Sequence, residues 1–80
     1  MHTLKLGQDL ELICRKDIDF VTIVWQKLDH DGEMLPNINM DGNSLKLTNS
    51  VLNNRGIYRC LTKTKRSELL FKDYFIDVKV

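Results

Sequence analysis

Little in this sequence points to nucleic acid, membranes or redox chemistry. The 12 basic and 11 acidic residues leave a formal net charge of only +1, so no global field attracts nucleic acid or an anionic membrane. There are two cysteines and no Cys-x-x-Cys pair, and the apolar run Leu69-Leu70-Phe71 is far too short to cross a bilayer. We therefore expect no nucleic-acid partner and no direct insertion of this segment into a membrane.

Patterns of catalytic residues are also lacking. Catalysis requires a nucleophile beside a base, two convergent carboxylates or a metal shell. The two histidines, His2 and His30, lie far apart along the chain, in a predicted terminal strand and a predicted turn. We expect no enzymatic activity, no catalytic residue and no cofactor.

One acidic segment, Asp29-His30-Asp31-Gly32-Glu33, has several side chains that could bind a metal ion. A calcium-binding EF-hand loop needs a different spacing, with a bidentate glutamate several residues further on. Its Asp-Gly pair is a signal for a hairpin turn. We interpret the segment as a solvated turn and predict no metal site. A weak contact with Zn²⁺ or Ca²⁺ is the alternative.

What the sequence does contain is a series of short segments with apolar residues at every second position. Such alternation, interrupted by turn residues, is typical of strands with one buried face. Leu4 and Leu6 suggest an edge strand that ends at Gly7. The predicted inward positions are Leu10, Leu12 and Cys14; Val21, Ile23 and Trp25; Leu45 and Leu47; Tyr58 and Cys60; and Tyr74, Ile76, Val78 and Val80. Residues 50–54 favour a short helical turn. We expect residues 1–80 to form a single all-β domain, cut from a longer protein.

Four of these segments carry a recognisable motif. In chain order it consists of Leu10-x-Leu12-x-Cys14, Trp25, Leu45-x-Leu47 and Asn54-Arg55-Gly56-Ile57-Tyr58-Arg59-Cys60. This set resembles the immunoglobulin superfamily. The resemblance implies a sandwich of two antiparallel sheets with about seven strands. It also implies a disulfide between Cys14 and Cys60, packed against Trp25, and a Tyr58 hydroxyl bonded to nearby backbone. Leu12 and Leu47 would complete this core.

The spacing favours one subtype of that family. Only 20 residues separate Trp25 from Leu45, which leaves no room for the two additional strands of a variable-type domain. We therefore expect a C2- or I-set arrangement.

Two positions depart from the family pattern. The family commonly has aspartate where this chain has Asn54, and a basic residue that pairs with it; residues 37–41 contain neither lysine nor arginine. The family also places an apolar residue where this chain has Ser50. We expect Val51 or Leu52 to fill that space.

The cysteines also bear on the cellular compartment. An even number of cysteines in a small domain is typical of a disulfide, which persists in oxidising environments. We expect an extracellular or cell-surface location. The alternative is an intracellular domain of the same fold with reduced cysteines.

Candidate partner-binding residues fall into two groups. Val24 and Leu61 are predicted to point outward from the sheet that contains Trp25 and Cys60, with Phe75 and Ile57 as further members. Exposed apolar clusters of this kind mark interaction surfaces. A shift of one residue in register would place these side chains in the core instead.

The second group is basic: Arg59, Lys63, Lys65 and Arg66. Its alternative interpretation is a solvated loop.

The resemblance implies a function in protein–protein recognition. We expect one module of a cell-surface receptor, receptor subunit or adhesion molecule, which binds a protein ligand or co-receptor. A homophilic contact or neighbouring domains of the same chain are further candidate partners. Two alternatives stay open: an intracellular structural I-set module of a filament-associated protein, and a secreted or viral decoy receptor domain.

Overall fold

The computed structural model describes residues 1–15, 19–28 and 34–80. Within them lie seven strands: β1 (His2–Lys5), β2 (Leu10–Ile13), β3 (Phe20–Lys27), β4 (Ile38–Asp41), β5 (Ser44–Leu47), β6 (Gly56–Thr64) and β7 (Leu69–Lys79). A 3₁₀-helix, Leu52–Asn54, precedes β6, in the place where the sequence favours a short turn.

The strands form two sheets. One has four strands in the order β1-β7-β6-β3, and the other has three in the order β2-β5-β4. Every pair is antiparallel except β1 with β7, which is parallel. After the four residues of β1 the chain passes through Gly7 and enters the other sheet as β2. The φ of Gly7, 88°, lies in the left-handed region that glycine adopts without strain.

The core lies between the sheets and follows the predicted alternation. Its buried residues are Leu4, Leu12, Cys14, Trp25, Leu45, Leu47, Tyr58, Cys60, Ile76 and Val78. Cys14 follows β2 and Cys60 lies in β6, so their disulfide joins the two sheets, with 6.1 Å between the Cα atoms. Closing a loop of 46 residues contributes about 4 kcal/mol on the chain-entropy view. The predicted sandwich with one inter-sheet disulfide is confirmed.

Two predicted inward positions are wrong. Val21 is exposed because the pairing of β3 with β6 changes register between Phe20 and Thr22. An irregularity of this kind turns the side chains before it to the other face. Val80 is exposed because it lies beyond the end of β7. Leu6, which the sequence placed in the edge strand, is exposed and lies just beyond the end of β1.

The corner before β6 departs from expectation at Ser50. Ser50 itself is buried, and its hydroxyl donates to the backbone oxygen of Lys5 at 3.0 Å. Val51 and Leu52 are exposed, so the expectation that either fills the space is wrong. The Ser50 hydroxyl is buried with a hydrogen bond to the backbone, in a space where a larger apolar side chain was expected.

An amide pair occupies the position where the family has a salt bridge. Asn37 Nδ2 donates to Asn54 Oδ1 at 2.7 Å, and Asn54 Nδ2 donates to Asn37 Oδ1 at 3.1 Å. Asn54 Oδ1 also accepts from the Val51 backbone N–H at 2.8 Å. Two neutral amides therefore replace a charged pair, and Asn54 is fully buried. Next to it, the Tyr58 hydroxyl donates to the Asn54 backbone oxygen at 2.6 Å, as the resemblance implies.

The two sheets differ in length. Strands β3, β6 and β7 have 8, 9 and 11 residues, whereas every strand of the other sheet has four. The molecule is accordingly elongated, with extents of 44 × 23 × 20 Å. The β6–β7 hairpin therefore has more surface than the shorter sheet can cover.

Candidate functional site

The face of the longer sheet that points away from the core carries a group of apolar side chains. In the strand register Val24 lies beside Leu61, and Leu61 lies beside Phe71; Ile57 lies beside Phe75. Neighbours of this kind have Cβ atoms about 5 Å apart, close enough for their side chains to touch. Phe71 is 61% exposed and Phe75 52% exposed. We use the name outer face for the apolar side chains together with the two charged residues between them: Val24, Ile57, Leu61, Phe71 and Phe75, with Arg59 and Asp73.

An ion pair lies at the centre of the outer face. Arg59 and Asp73 are opposite each other in the β6–β7 register, with Nε–Oδ1 at 2.7 Å and Nη2–Oδ2 at 3.0 Å. The hydrogen bond from the guanidinium lowers the pKa of Asp73, and the same bond raises the pKa of Arg59. The guanidinium also lies 4.0 Å from the centre of the Phe71 ring. The middle of the outer face is therefore neutral overall.

Arg59 was expected to belong with the basic loop residues, but the structure separates it from them. Its backbone position in β6 turns its side chain onto the outer face, where Asp73 neutralises it. The outward orientation of Arg59 follows from the inward Tyr58 and Cys60, whereas its pairing with Asp73 depends on strand register, which is a tertiary property.

The remaining basic residues lie together at the end of the β6–β7 hairpin. Lys63 is near the end of β6, and Lys65 and Arg66 form the turn; all three are exposed. None of the three forms a salt bridge with any residue that the structure describes. They form a positively charged rim at one end of the outer face.

The predicted binding residues therefore occupy one continuous surface. Val24 and Leu61 lie on one side of the central ion pair, and Phe75 and Ile57 lie on the other side. Phe71, which sequence reasoning treated only as part of a short apolar run, is among its most exposed members. The signal was available: Phe71 and Phe75 share a parity in β7 opposite to that of buried Ile76 and Val78.

This arrangement of strands resembles solved structures. The chain matches the twitchin kinase region from C. elegans (Fn31-NL-kin-CRD-Ig26) with a TM-score of 0.70 and 18% identity, over 96% of this chain and 14% of that one. It matches the V domain of amphioxus IgVJ-C2 with a TM-score of 0.67 and 20% identity, over 98% of this chain and 99% of that one. The chain has the immunoglobulin fold. No family model and no curated protein matches the sequence.

Both identities are low, so these likenesses concern the fold alone. The C2- or I-set subtype stays a prediction.

The other sheet of this immunoglobulin-like fold has a different exterior. Ile13 is its exposed large apolar residue among those described, beside Glu11, whose carboxylate lies 3.6 Å from Lys46 Nζ. A polar surface with one scattered apolar side chain needs no functional explanation. The contrast favours the outer face as the binding surface.

Other parts of the domain provide weaker candidates for a functional site than the outer face does. A cleft of about 220 Å³ is lined by Phe20, Val21, Ile23, Gly42 and Asn43. It is smaller than the roughly 300–1,000 Å³ of ordinary ligand pockets. In residues 1–15, 19–28 and 34–80 there is no group of three or more His, Cys, Asp or Glu side chains that could hold a metal ion. The segment 29–33, considered above as a turn or a weak metal contact, lies outside the described residues. No described helix is long and apolar enough to span a membrane.

Proposed function

We propose that this domain is a protein–protein recognition module that binds its partner through the outer face. The observation that carries the proposal is the continuous row Val24, Leu61 and Phe71 across three strands, in which half-buried Leu61 lies between exposed Val24 and Phe71, beside a neutralised ion pair. Together the apolar members expose on the order of 400 Å², which is in the range of the largest apolar patches on soluble domains. Such patches commonly serve as binding sites.

The distribution of charge supports the same interpretation. Protein interfaces have an apolar centre that excludes water and a polar rim that remains wet. On the outer face the ion pair leaves the centre without net charge, and the charged rim at one end consists of Lys63, Lys65 and Arg66. Cations in this position accelerate association with a partner that carries acidic residues beside its own apolar patch.

We further propose a place for the module on the outside of the cell, as part of a receptor, receptor subunit or adhesion molecule. The supporting observation is the Cys14–Cys60 disulfide, because disulfides persist in oxidising compartments. The ligand would be another protein or a co-receptor.

The test compares two substitutions of an apolar residue by arginine. Leu61→Arg introduces a second, unpaired cation beside Arg59 in the centre of the outer face. Ile13→Arg makes the same change on the opposite sheet. Multivalent forms of the wild type and both variants are applied to a panel of cells, and bound protein is counted by flow cytometry.

We expect the wild type and Ile13→Arg to label the same cells and Leu61→Arg to label none. Both variants should melt within a few degrees of the wild type, because both side chains point away from the core. Lys65→Glu should mainly slow association, and the effect should shrink as salt is raised. The proposal fails if Leu61→Arg labels cells normally, or if Ile13→Arg alone loses labelling.

A further inference from the structure

Strand β7 is longer than the strand that pairs with it on its outer side. β7 has 11 residues, and β1 pairs only with residues 76–79. On the side opposite to β6, residues 69–75 therefore have no strand neighbour in the described part of the chain. The sheet has an open edge there, beside the outer face.

The backbone groups that point to this edge can be identified. The Lys79 backbone oxygen accepts from Leu6 N–H on the β1 side, and the Leu70 backbone oxygen accepts from Thr62 Oγ1 on the β6 side. Alternate residues of a strand direct their N–H and C=O groups to opposite neighbours, and the register with β6 runs without a shift. The open edge is therefore provided by the odd-numbered residues Leu69, Phe71, Asp73 and Phe75. Phe75 adjoins the first residue that pairs with β1, so Leu69, Phe71 and Asp73 are the ones clear of β1.

Proteins usually protect such an edge. Short length, proline, a bulge or unpaired charges at the edge prevent it from pairing with another chain. Residues 69–75 contain no proline and no bulge, and Leu69, Leu70 and Phe71 are exposed. Asp73 is neutralised by Arg59, and Lys72 Nζ lies 5.3 Å from the centre of the Tyr74 ring. Lys72 is the one protective feature of these residues, and the rest of the edge has the properties of a strand that accepts a partner strand.

We propose that a second copy of this chain pairs with this edge, antiparallel and with Phe71 on the twofold axis. In that register Leu69 lies opposite the second copy's Asp73, and the two Phe71 residues lie opposite each other. Each of these pairs exchanges two backbone hydrogen bonds, which gives about six bonds in all. The free backbone groups of Leu69, Phe71 and Asp73 are all used.

The number of hydrogen bonds and the charges decide among the possible registers. A twofold axis perpendicular to the sheet can pass through a hydrogen-bonded pair, with Phe71 or Asp73 at the centre, or through a non-hydrogen-bonded pair, with Leu70 or Lys72 at the centre. An axis at Leu70 pairs only Leu69 with Phe71, about four bonds, because Asp73 would lie opposite a residue before the start of β7. An axis at Lys72 places two lysines opposite each other. An axis at Asp73 places two aspartates opposite each other and brings the partner strand against β1. An axis at Phe71 places Lys72 opposite Leu70 and leaves no like charges facing each other. The Phe71 register is therefore preferred.

The resulting dimer is weak. About five residues of each strand are paired, roughly 17 Å of strand. An interface of this size buries less than the approximately 1,200 Å² of stable complexes, so association should be reversible and visible only at about 0.1–1 mM. The dimer joins two outer faces side by side and leaves both free, so it does not depend on the proposed function.

The experiment is sedimentation equilibrium of the isolated domain, from about 10 µM to 1 mM, with two variants at one position. Phe71→Pro removes an N–H that points to the open edge and no hydrogen bond to β6, so the sheet itself keeps its bonds. Phe71→Ala is the matched control, which loses the ring but keeps the N–H. We expect a concentration-dependent dimer for the wild type and for Phe71→Ala, and a monomer for Phe71→Pro.

A second measurement needs no substitution. Amide hydrogen exchange of the wild type should slow with rising protein concentration at Leu69, Phe71 and Asp73, and stay unchanged at Leu70 and Lys72, which already bond to β6. A wild type that is monomeric throughout, or exchange that does not depend on concentration at the three edge amides, overturns the proposal. So does a dimer that Leu61→Arg abolishes, since that result assigns the contact to the outer face.

Discussion

The amide pair at the corner before β6 allows a quantitative test of how this domain is stabilised. Replacing Asn54 with alanine removes three hydrogen bonds at a fully buried position: two with Asn37 and one with the Val51 N–H. A hydrogen bond contributes about 1 kcal/mol net, and a buried group left unpaired costs about 1–3 kcal/mol. The expected loss is about 3 kcal/mol in the free energy of unfolding. For a domain of this size, that lowers the melting temperature by about 12–24 °C.

The matched control is Asn53→Ala, an exposed neighbour in the same 3₁₀-helix, which should change the free energy of unfolding by less than about 0.5 kcal/mol. Asn37→Ala leaves Asn54 Nδ2 without an acceptor and should cost about 2 kcal/mol. Urea unfolding of both single variants and the double variant gives the coupling energy. We expect the double variant to lose about 1–2 kcal/mol less than the sum.

The reasoning is refuted if the losses simply add, because the two amides would then act independently. It is also refuted if Asn54→Ala unfolds at the same urea concentration as Asn53→Ala.

Three further predictions concern the core and the outer face. Under non-reducing denaturing conditions, intact mass should show no alkylated thiol, and replacing Cys14 and Cys60 together by alanine should cost about 2–5 kcal/mol; alkylation of both thiols would contradict the bridge. Tyr58→Phe keeps the ring but loses the bond to the corner backbone, so urea unfolding should show a loss of about 1–3 kcal/mol; an unchanged midpoint would mean that this bond contributes nothing. The Asp73 carboxyl should titrate by NMR below its ordinary pKa, and Arg59→Met should return it to the ordinary range, because the guanidinium bond is removed. Since that pKa is lowered in the folded state, the stabilisation is present above the unfolded pKa and lost as pH falls through the folded one; a pKa unaffected by Arg59→Met would argue against it.

Much of the fold follows from sequence because a sandwich strand buries every second residue. The alternation around Leu12, Leu45 and Leu47 requires only that period, and each of these residues is in the core. Cys14 and Cys60 could be paired from the resemblance, since one disulfide joining two sheets belongs to that pattern. The hydroxyl bond of Tyr58 to the corner backbone was predicted from the same resemblance, and its acceptor lies four residues away.

The tertiary structure decided everything that depends on which strand lies beside which. Asp73 neutralises Arg59 only because the β6–β7 register places them opposite each other, and the residues are 14 apart in sequence. Asn37 meets Asn54 across the fold, 17 residues away. Ser50 proved to be buried because its hydroxyl reaches the backbone of Lys5 at the end of β1. Local periodicity predicts on which face of the sheet a side chain lies. Which partner it meets there, and whether a strand edge is covered, is set by sheet order and register, and these emerge only when distant segments pack together.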